Sequence, residues 1–434
     1  MSSSNERNTV VITGLGLATP LGLDLDTVWS RISQSETAIK PMPHYLPGRG
    51  GAMLEDFYPE EHVRPKRILR FVNRATSFAM VAARNALEDA GVSEGVIDPE
   101  RFGIYTGTGE SEMKPEIYFP ALEKAIDEQG QFNLAQFAQE GLDQLDPYVG
   151  LTSLGNNALC YISIVHKLMG PSNNYVKSGV ASSQAIAEAV QALRYGLADA
   201  ILVVGNDWLT DPWALAAYDS IGMLCTDCWD VAGSMRPFDA GRRGPLPGEG
   251  AGALVLETAQ VAEKRGAHIY GQILGYGEAT DTWSFGAPPP DGGVLPLAIE
   301  EALADAQVTP EQVDLIIAHG NSSPGGDTSE AQGIYHALSG RLRHVPITST
   351  KPYTGHLGAA SGTVETILAL LMQQHATVPP ILNLTEPDVA CSLNFVMNQS
   401  LKCAPNILLH IARSVGGQNA VIIIGKDLAA LPGK

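Results

Sequence analysis

Residues 174–205, NYVKSGVASSQAIAEAVQALRYGLADAILVVG, decide the class of fold. The short run at 174–177 predicts a strand, the Ala-rich stretch at 181–195 predicts a helix, and the β-branched run at 200–205 predicts another strand. A strand, a helix and a strand in direct succession are typical of an α/β fold whose sheet is mostly parallel and covered on both faces.

The same alternation extends over the rest of the chain. Both halves end in strand, helix, strand, which predicts two similar halves, residues 1–260 and 261–434, within one unit; two unrelated α/β domains are the alternative. The stretch 110–150 lacks strand patterns and predicts a helical insertion on a surface or an interface. Further strands are predicted at 9–13, 103–107, 269–274, 313–318, 345–349, 406–412 and 420–424, and further helices at 71–90 and 356–373.

Composition excludes several classes of partner. Asp and Glu number 47 against 28 Lys and Arg, and the net charge of -19 argues against nucleic acid and anionic membranes. No run approaches the roughly 18 apolar residues of a membrane span, and the start lacks the apolar core of a signal peptide. With only five Cys, a disulfide framework is not expected, and Cys225 and Cys228 lack the further ligands of a zinc site. We therefore expect a cytoplasmic protein without a metal.

The turn between the predicted strand at 174–177 and the helix after it is a candidate site. The start of a helix favours negative charge and often presents a nucleophile. The tip here offers Ser178, Gly179, Val180, Ser182 and Ser183, and none of these serines lies in a G-x-S-x-G motif. A plain helix cap with small packing residues is the alternative.

Two histidines follow predicted strands in the second half. His319 follows the strand at 313–318, and His356 is expected in the first turn of a helix, where the pKa of an imidazole is lowered. Two neutral histidine donors on one carbonyl oxygen would stabilise an enolate, and Lys351 and Glu365 could pair beneath them. For His319, a core histidine bonded to the backbone is the alternative.

A Gly-rich turn, Ser414-Val415-Gly416-Gly417-Gln418-Asn419, joins the two closing strands. Its backbone N–H groups could complete an anion-binding hollow, and a plain hairpin turn is the alternative.

Together these segments resemble the β-ketoacyl-acyl-carrier-protein synthases, the ketosynthases of the thiolase fold, and the elongating type most of all. The resemblance rests on the run 350–360, TKPYTGHLGAA, and on the segments 10–16, 235–239, 248–257, 378–383 and 416–419. It implies two α-β-α-β-α halves in a subunit that pairs as a dimer. It also implies an acyl carrier protein as partner, whose phosphopantetheine delivers acyl and malonyl groups, and no further cofactor.

The resemblance assigns roles to the candidate residues and also exposes a departure. His319, His356, Lys351 and Glu365 fall on catalytic positions, with Asp327 and Glu330 beside them. The family's Cys nucleophile stands 17 residues before the position of Gly196, where this chain has Gly179. A glycine cannot form the acyl thioester. The N–H groups of Gly179 and Val415 are the predicted oxyanion hole.

The last loop departs further from the family. Val415 replaces the gating Phe, and Gly416 and Gly417 complete the predicted gate. Outside this loop, in the segment that follows His319, Asn321 replaces the usual Thr.

Two functions are therefore open. One is a non-nucleophilic partner, like a chain-length factor of type II polyketide systems, that shapes the acyl tunnel of a Cys-containing ketosynthase in a heterodimer. A homodimer is the alternative assembly. The other function is a solitary decarboxylase of malonyl-carrier protein or a modified synthase that uses the two histidines. Chain-length factors usually lose the histidines, whereas this chain keeps both. We also expect Gly179→Cys to restore part of the acyl transfer.

An acidic carrier protein needs a local basic patch on this acidic chain. The densest cluster precedes and enters the predicted helix at 71–90, and the resemblance places carrier docking there. A solvated helix face is the alternative. The cluster consists of Arg64, Lys66, Arg67, Arg70 and Arg74.

Overall fold

Fourteen strands lie within the residues that the computed structural model describes, which are 8–42, 49–109, 115–225, 228, 230–338 and 344–426. In chain order the strands are β1 (Val10–Ala18), β2 (Lys40–Pro41), β3 (Gly50–Gly51), β4 (Phe102–Thr108), β5 (Ser172–Val176), β6 (Ala200–Trp208), β7 (Glu249–Thr258), β8 (Gly271–Thr280), β9 (Leu315–Ile317), β10 (Ile347–Thr348), β11 (Thr377–Val378), β12 (Leu401–Lys402), β13 (Ile407–Arg413) and β14 (Gln418–Gly425).

Helices fill most of the connections between these strands. They are α1 (Leu25–Ser33), α2 (Pro59–His62), α3 (Arg74–Asp89), α4 (Pro115–Glu123), α5 (Leu134–Gln136), α6 (Val149–Thr152), α7 (Asn157–His166), α8 (Ala181–Arg194), α9 (Pro212–Ser220), α10 (Val231–Ser234), α11 (Ala259–Lys264), α12 (Leu295–Ala306), α13 (Pro324–Ala337), α14 (Lys351–Thr354) and α15 (Ser361–Gln374).

Ten strands form one sheet in the order β10-β9-β13-β14-β8-β1-β7-β6-β4-β5. From the central pair β1 and β8, which are antiparallel, the two halves of the sheet run outward in the same pattern. The neighbours β7 and β14 are antiparallel to the strands on both sides, and the outer three strands of each half are parallel. Each half of the chain thus contributes five strands of one topology.

The expectation of a mostly parallel sheet is wrong. Four of the nine strand pairings are parallel and five are antiparallel. The β-α-β pattern identified the outer strands, where a helix returns the chain in the same direction. It missed β7, whose glycines weaken the strand pattern, and β7 meets both β1 and β6 antiparallel.

Alternation along the strands divides the molecule into five layers. Ile201 and Val203 of β6 pack inward with helices α8 and α15, whereas Leu202 and Val204 pack outward with α3 and α7. In the C-terminal half, inward residues of β9, β13 and β14 join the same central cluster, and outward residues pack on α12 and α13. The order is therefore α-β-α-β-α, which is the thiolase-like architecture.

The two central helices meet closely at their first turns. A Cβ on Gly362 of α15 would lie 2.5 Å from the backbone nitrogen of Ser183 in α8. A Cβ on Gly107 of β4 would lie 2.3 Å from the nitrogen of Ser182. Neither glycine leaves room for a side chain, so α8 packs in direct backbone contact with both α15 and β4. The loops that precede α8 and α15 therefore lie next to each other.

Other element predictions differ in their bounds. Helix α3 begins at Arg74 rather than 71, after a 3-10 turn at Lys66–Phe71, and Asn73 caps it by accepting from the N–H of Thr76. Helix α15 begins at Ser361, so that His356 lies before it. In the predicted insertion, residues 110–114 lie outside the described residues, and residues 115–152 contain α4, α5 and α6 with π and 3-10 turns between them.

Cys225 and Cys228 are joined in a disulfide. Only three positions separate them in sequence, so the bond connects no two elements of the fold, and the remaining cysteines are free. Among the described residues, no helix is long and apolar enough to cross a membrane. No group of three or more potential metal ligands occurs in that part of the chain.

Candidate active site

A cavity of about 230 Å³ opens where the loops before α8 and α15 meet the ends of β9 and β13. His319, His356 and Arg413 line it together with Val415 and Gly417 of the Gly-rich turn. The structure thus brings the two predicted histidines and the predicted gate into one cavity. Gly416, the third residue of the predicted gate, is not among the residues that line this cavity. Its N–H donates to the carbonyl of Phe285 at 2.9 Å.

Two buried carboxylates hold the loop that carries His319. Glu330 of α13 accepts from the N–H groups of His319 and Gly320, at 2.6 and 2.9 Å, and Asp327 accepts from Asn321 at 3.1 Å. Burial raises the pKa of Asp327 to about 7 and raises that of Glu330. Both side chains are less than 2% exposed. The acidic residues beside His319 therefore position its loop.

Backbone donors set the tautomers of both histidines. The N–H of Arg413 donates to Nδ1 of His319 at 3.3 Å, and the N–H of Gly358 donates to Nδ1 of His356 at 3.1 Å. A neutral imidazole that accepts at Nδ1 carries its proton on Nε2. The ring centroids lie 5.4 Å apart. The cavity therefore holds two Nε2–H donors close to one another.

Burial keeps both rings neutral. It lowers the pKa of His319 well below the usual range, and the charge of Lys351 lowers it further. Burial and the same lysine lower the pKa of His356 to about 3. The predicted cause, a helix terminus, is wrong for His356, because the histidine precedes α15 by several residues.

The expected pairing of Lys351 and Glu365 is present. Lys351 Nζ lies 2.6 Å from Glu365 Oε1, and both side chains are buried. The other carboxylate oxygen lies 2.8 Å from Nε2 of His410 on β13. Burial raises the pKa of Glu365, but Lys351 and His410 outweigh it and the net shift is downward. Sequence reasoning missed His410, because only the strand pairing brings it beneath the cavity.

The backbone carbonyl of Arg413 lies where the side chain of a nucleophile at position 179 would start. A Cβ built on Gly179 would lie 2.3 Å from the carbonyl oxygen of Arg413 and 3.6 Å from Cε1 of His319. Gly179 is buried and is not among the described residues that line the cavity, whereas Ser178 is. The position of a built Cβ does not bear on the Gly179 N–H, whose predicted oxyanion role stays a prediction. A side chain at position 179 requires the Arg413 carbonyl to move, so we now expect Gly179→Cys alone to be insufficient for acyl transfer.

Sequence reasoning also missed Arg413, whose side chain is 8% exposed. Its Nε donates to Oδ1 of Asn419 at 2.8 Å, and Nη2 donates to Ser329 at 3.2 Å and lies 3.7 Å from Asp281. Asn419 in turn donates to Asp281 at 3.1 Å. This network anchors both ends of the Gly-rich turn, and so holds the Arg413 carbonyl over Gly179.

The predicted docking cluster divides in two. Arg64, Lys66, Arg67 and Arg70 are exposed, and Arg70 lies 4.5 Å from the ring centre of Phe71. Arg74 is only partly exposed and is paired with groups inside the fold. Its Nη2 lies 2.6 Å from Oε1 of Glu249, whose side chain is fully buried, and it also donates to the carbonyl of Leu54 at 2.8 Å. Because Arg74 is engaged in these contacts, the four exposed cations form the accessible part of the predicted docking cluster, and its role in docking stays a prediction.

The buried neutral histidines predict an acid-sensitive fold. Histidine in the unfolded chain has a pKa near 6.5. Below that pH the two histidines bind protons in the unfolded chain but stay neutral in the folded chain. Stability is therefore greatest above pH 6.5 and falls as the pH drops toward the folded pKa values. Between pH 7 and pH 5 we expect the wild type to lose about 2 kcal/mol per histidine more than the double variant His319→Gln, His356→Gln. Urea unfolding at both pH values measures this difference, and equal losses would contradict it.

Comparison with known proteins places this site in a family. The model of the β-ketoacyl synthase N-terminal domain matches residues 7–262, and that of the C-terminal domain matches residues 270–385. The 3-oxoacyl-[acyl-carrier-protein] synthase 2 of Staphylococcus aureus strain COL is 31% identical over 98% of this chain and 99% of its own length. The Coxiella burnetii protein of the same name is 30% identical over 97% and 99%.

Solved structures of ketosynthases have the same fold as this chain. A β-ketoacyl synthase from Burkholderia phymatum matches with a TM-score of 0.86 and 27% identity, over 97% of this chain and all of its own. The ishigamide ketosynthase/chain length factor matches with a TM-score of 0.83, with the same identity and coverage. The fold, the paired histidines and these matches together show that the chain belongs to the β-ketoacyl synthase family.

Proposed function

We propose that this protein is the non-nucleophilic subunit of a type II fatty-acid or polyketide system. It pairs in the cytoplasm with a Cys-containing β-ketoacyl synthase and shapes that enzyme's acyl tunnel. The observation that carries the proposal is the Arg413 carbonyl 2.3 Å from the Cβ position of Gly179. Loss of the nucleophile is accompanied by closure of its space, as expected of a subunit that holds no acyl thioester.

An unpaired sheet edge supports the pairing. Strand β5 lies at the end of the ten-stranded sheet and pairs with β4 alone among the described strands. Apolar side chains beside it are exposed: Ile164 by 69%, Met169 by 64% and Val176 by 48%. Open edges and apolar surface of this kind are typical of a protein interface. The neighbour whose name pairs a ketosynthase with a chain length factor fits the same assembly.

Co-expression with the Cys-containing ketosynthase encoded nearest to it tests the pairing. We expect a one-to-one complex on size-exclusion chromatography. Ile164→Lys with Met169→Lys should break it, because two charges would be buried in an apolar interface. The control is Leu297→Lys, a half-exposed apolar residue on α12. If the chain remains a homodimer in the presence of the ketosynthase, the partner proposal fails.

Gly179→Cys tests the closed nucleophile space. We expect a lower melting temperature and no acyl adduct by mass spectrometry with acyl-carrier protein, because the new Cβ meets a backbone oxygen that the Arg413 network holds in place. Gly150→Cys is the matched control, since a Cβ there meets nothing within 4 Å. A folded variant acylated at position 179 would show that the site still accepts a nucleophile.

A second activity is favoured by the two Nε2–H donors. Malonyl thioester that loses carbon dioxide leaves an enolate, and both donors can bond to its oxygen until water protonates the carbon. This step needs no thiolate. The free N–H of Val415, which donates to no other described group, is a further candidate donor at the cavity wall. We propose slow decarboxylation of malonyl-carrier protein as this residual activity.

The histidines provide the test of decarboxylation. Removal of one oxyanion donor typically costs about 10²–10³ in rate, so His319→Ala and His356→Ala should each reduce carbon dioxide release by that factor. Release of labelled carbon dioxide from malonyl-carrier protein measures it, and His344→Ala, a substitution outside the cavity, is the control. Equal rates in wild type and the double variant would remove this activity.

We propose that the acidic carrier protein docks on the exposed part of the basic cluster, Arg64, Lys66, Arg67 and Arg70. Reversal of Lys66 and Arg67 to Glu should weaken binding in calorimetry, and added salt should weaken the wild type toward the variant, because surface charges are screened within about 8 Å at physiological ionic strength. The control reverses the exposed Lys402 and Lys426. Equal effects of the two reversals would exclude the cluster as the docking site.

A further inference from the structure

His410 is a polar residue in apolar surroundings. It lies fully buried on β13, where it pairs in register with Ile317 of β9 and Ile422 of β14. Both strand partners belong to the central hydrophobic cluster, and so does Leu408, two positions earlier on the same face of β13. An apolar side chain would pack at position 410 without burying a polar group, so a histidine is a costly choice there.

Only one of the two ring nitrogens of His410 has a partner. Nε2 lies 2.8 Å from Oε2 of Glu365, whereas Nδ1 is buried and has no hydrogen bond among the described residues. With its proton on Nε2, the ring donates to the carboxylate, and Nδ1 stays an unpaired acceptor. The unpaired nitrogen destabilises the fold, so the contact with Glu365 is what the histidine contributes at this position.

The ion pair of Glu365 with Lys351 depends on this contact. Lys351 Nζ lies 2.6 Å from Oε1, and His410 supplies the hydrogen bond to Oε2. A buried ion pair outweighs the loss of its hydration only when further hydrogen bonds satisfy the carboxylate. Without His410, Oε2 would be buried without that donor. A proton would then move from Nζ of Lys351 to the carboxylate, which leaves a neutral amine and a neutral acid.

The charge of Lys351 acts on the histidine cavity. After burial, it is the largest cause that lowers the pKa of His319 and of His356. A positive charge this close also stabilises the negative charge on an enolate oxygen bound by the two Nε2–H donors. A neutral amine would have neither effect.

We propose that His410 is a positioning residue for decarboxylation: its Nε2–H keeps Glu365 a carboxylate, and Glu365 keeps Lys351 an ammonium group beneath the two histidines. His410 is not among the residues that line the cavity, so it acts through these two side chains. The inference rests on the proposed decarboxylation of malonyl-carrier protein.

Infrared spectroscopy of the full chain at pH 7, with 13C-labelled glutamate, tests the charge of Glu365. The difference between wild type and Glu365→Gln should contain carboxylate bands only. We expect His410→Leu to gain the carbonyl band of a protonated carboxyl group. His410→Gln should lack this band, because its side-chain amide N–H can donate in place of Nε2. The label distinguishes glutamate from Asp327, and Glu330 is present in every variant.

Leu408→Val is the matched control, because it changes packing on the same face of β13 and removes no hydrogen bond. Melting temperatures establish which variants fold, and His410→Met replaces His410→Leu if the latter does not. Three results would overturn the proposal: an acid band from Glu365 in the wild type, no acid band in a folded apolar variant at position 410, or the same band in His410→Gln or Leu408→Val.

Release of labelled carbon dioxide tests the effect on the reaction. His410→Leu should lower kcat about 10-fold with KM unchanged, and should have no further effect in the Glu365→Gln background, because His410 acts through Glu365. No release by the wild type would contradict decarboxylation, while the infrared band would still show that His410 sets the charge of Glu365. An unchanged kcat in a His410→Leu variant that carries the band would contradict the positioning role alone.

Discussion

The close contact between the first turns of the two central helices is the constraint on which the rest of this molecule depends. Gly362 of α15 and Ser183 of α8 approach so closely that no side chain fits between them. Each helix follows a loop that leaves the end of a strand, so the contact draws both loops together. The cavity, the two histidines and the nucleophile position are therefore consequences of how two helices pack in the middle of five layers.

The chemistry of the cavity follows from backbone groups more than from side chains. Two main-chain N–H groups hold the protons of His319 and His356 on Nε2, and burial keeps both rings neutral. A third backbone group, the Arg413 carbonyl, fills the space over Gly179. The site thus combines intact hydrogen-bond donors with a closed nucleophile position. This combination is the basis of the proposal that the chain stabilises an enolate rather than transfers an acyl group.

Buried charge holds this arrangement in place. Arg413 lies among Asp281, Asn419 and Ser329, and Glu330 accepts from the loop of His319. Removing one member of such a network leaves an uncompensated buried charge, which is far more costly than removing the network as a whole. Because Ser329 and Glu330 are neighbours on α13, the network connects the Gly-rich turn to the histidine loop.

Local pattern was sufficient for part of this description. The α/β class, the two similar halves and the residues His319, His356, Lys351 and Glu365 could be identified because strand and helix periodicity and short motifs are local in sequence. The antiparallel pairings of β7, the ion pair of Arg74 with the buried Glu249 and the contact of His410 with Glu365 could not be identified. Each depends on contacts between residues far apart in the chain. The sequence by itself determined that a nucleophile is missing at Gly179, because glycine has no side chain. Only the tertiary structure decided that its space is filled, because the carbonyl that fills it comes from another strand.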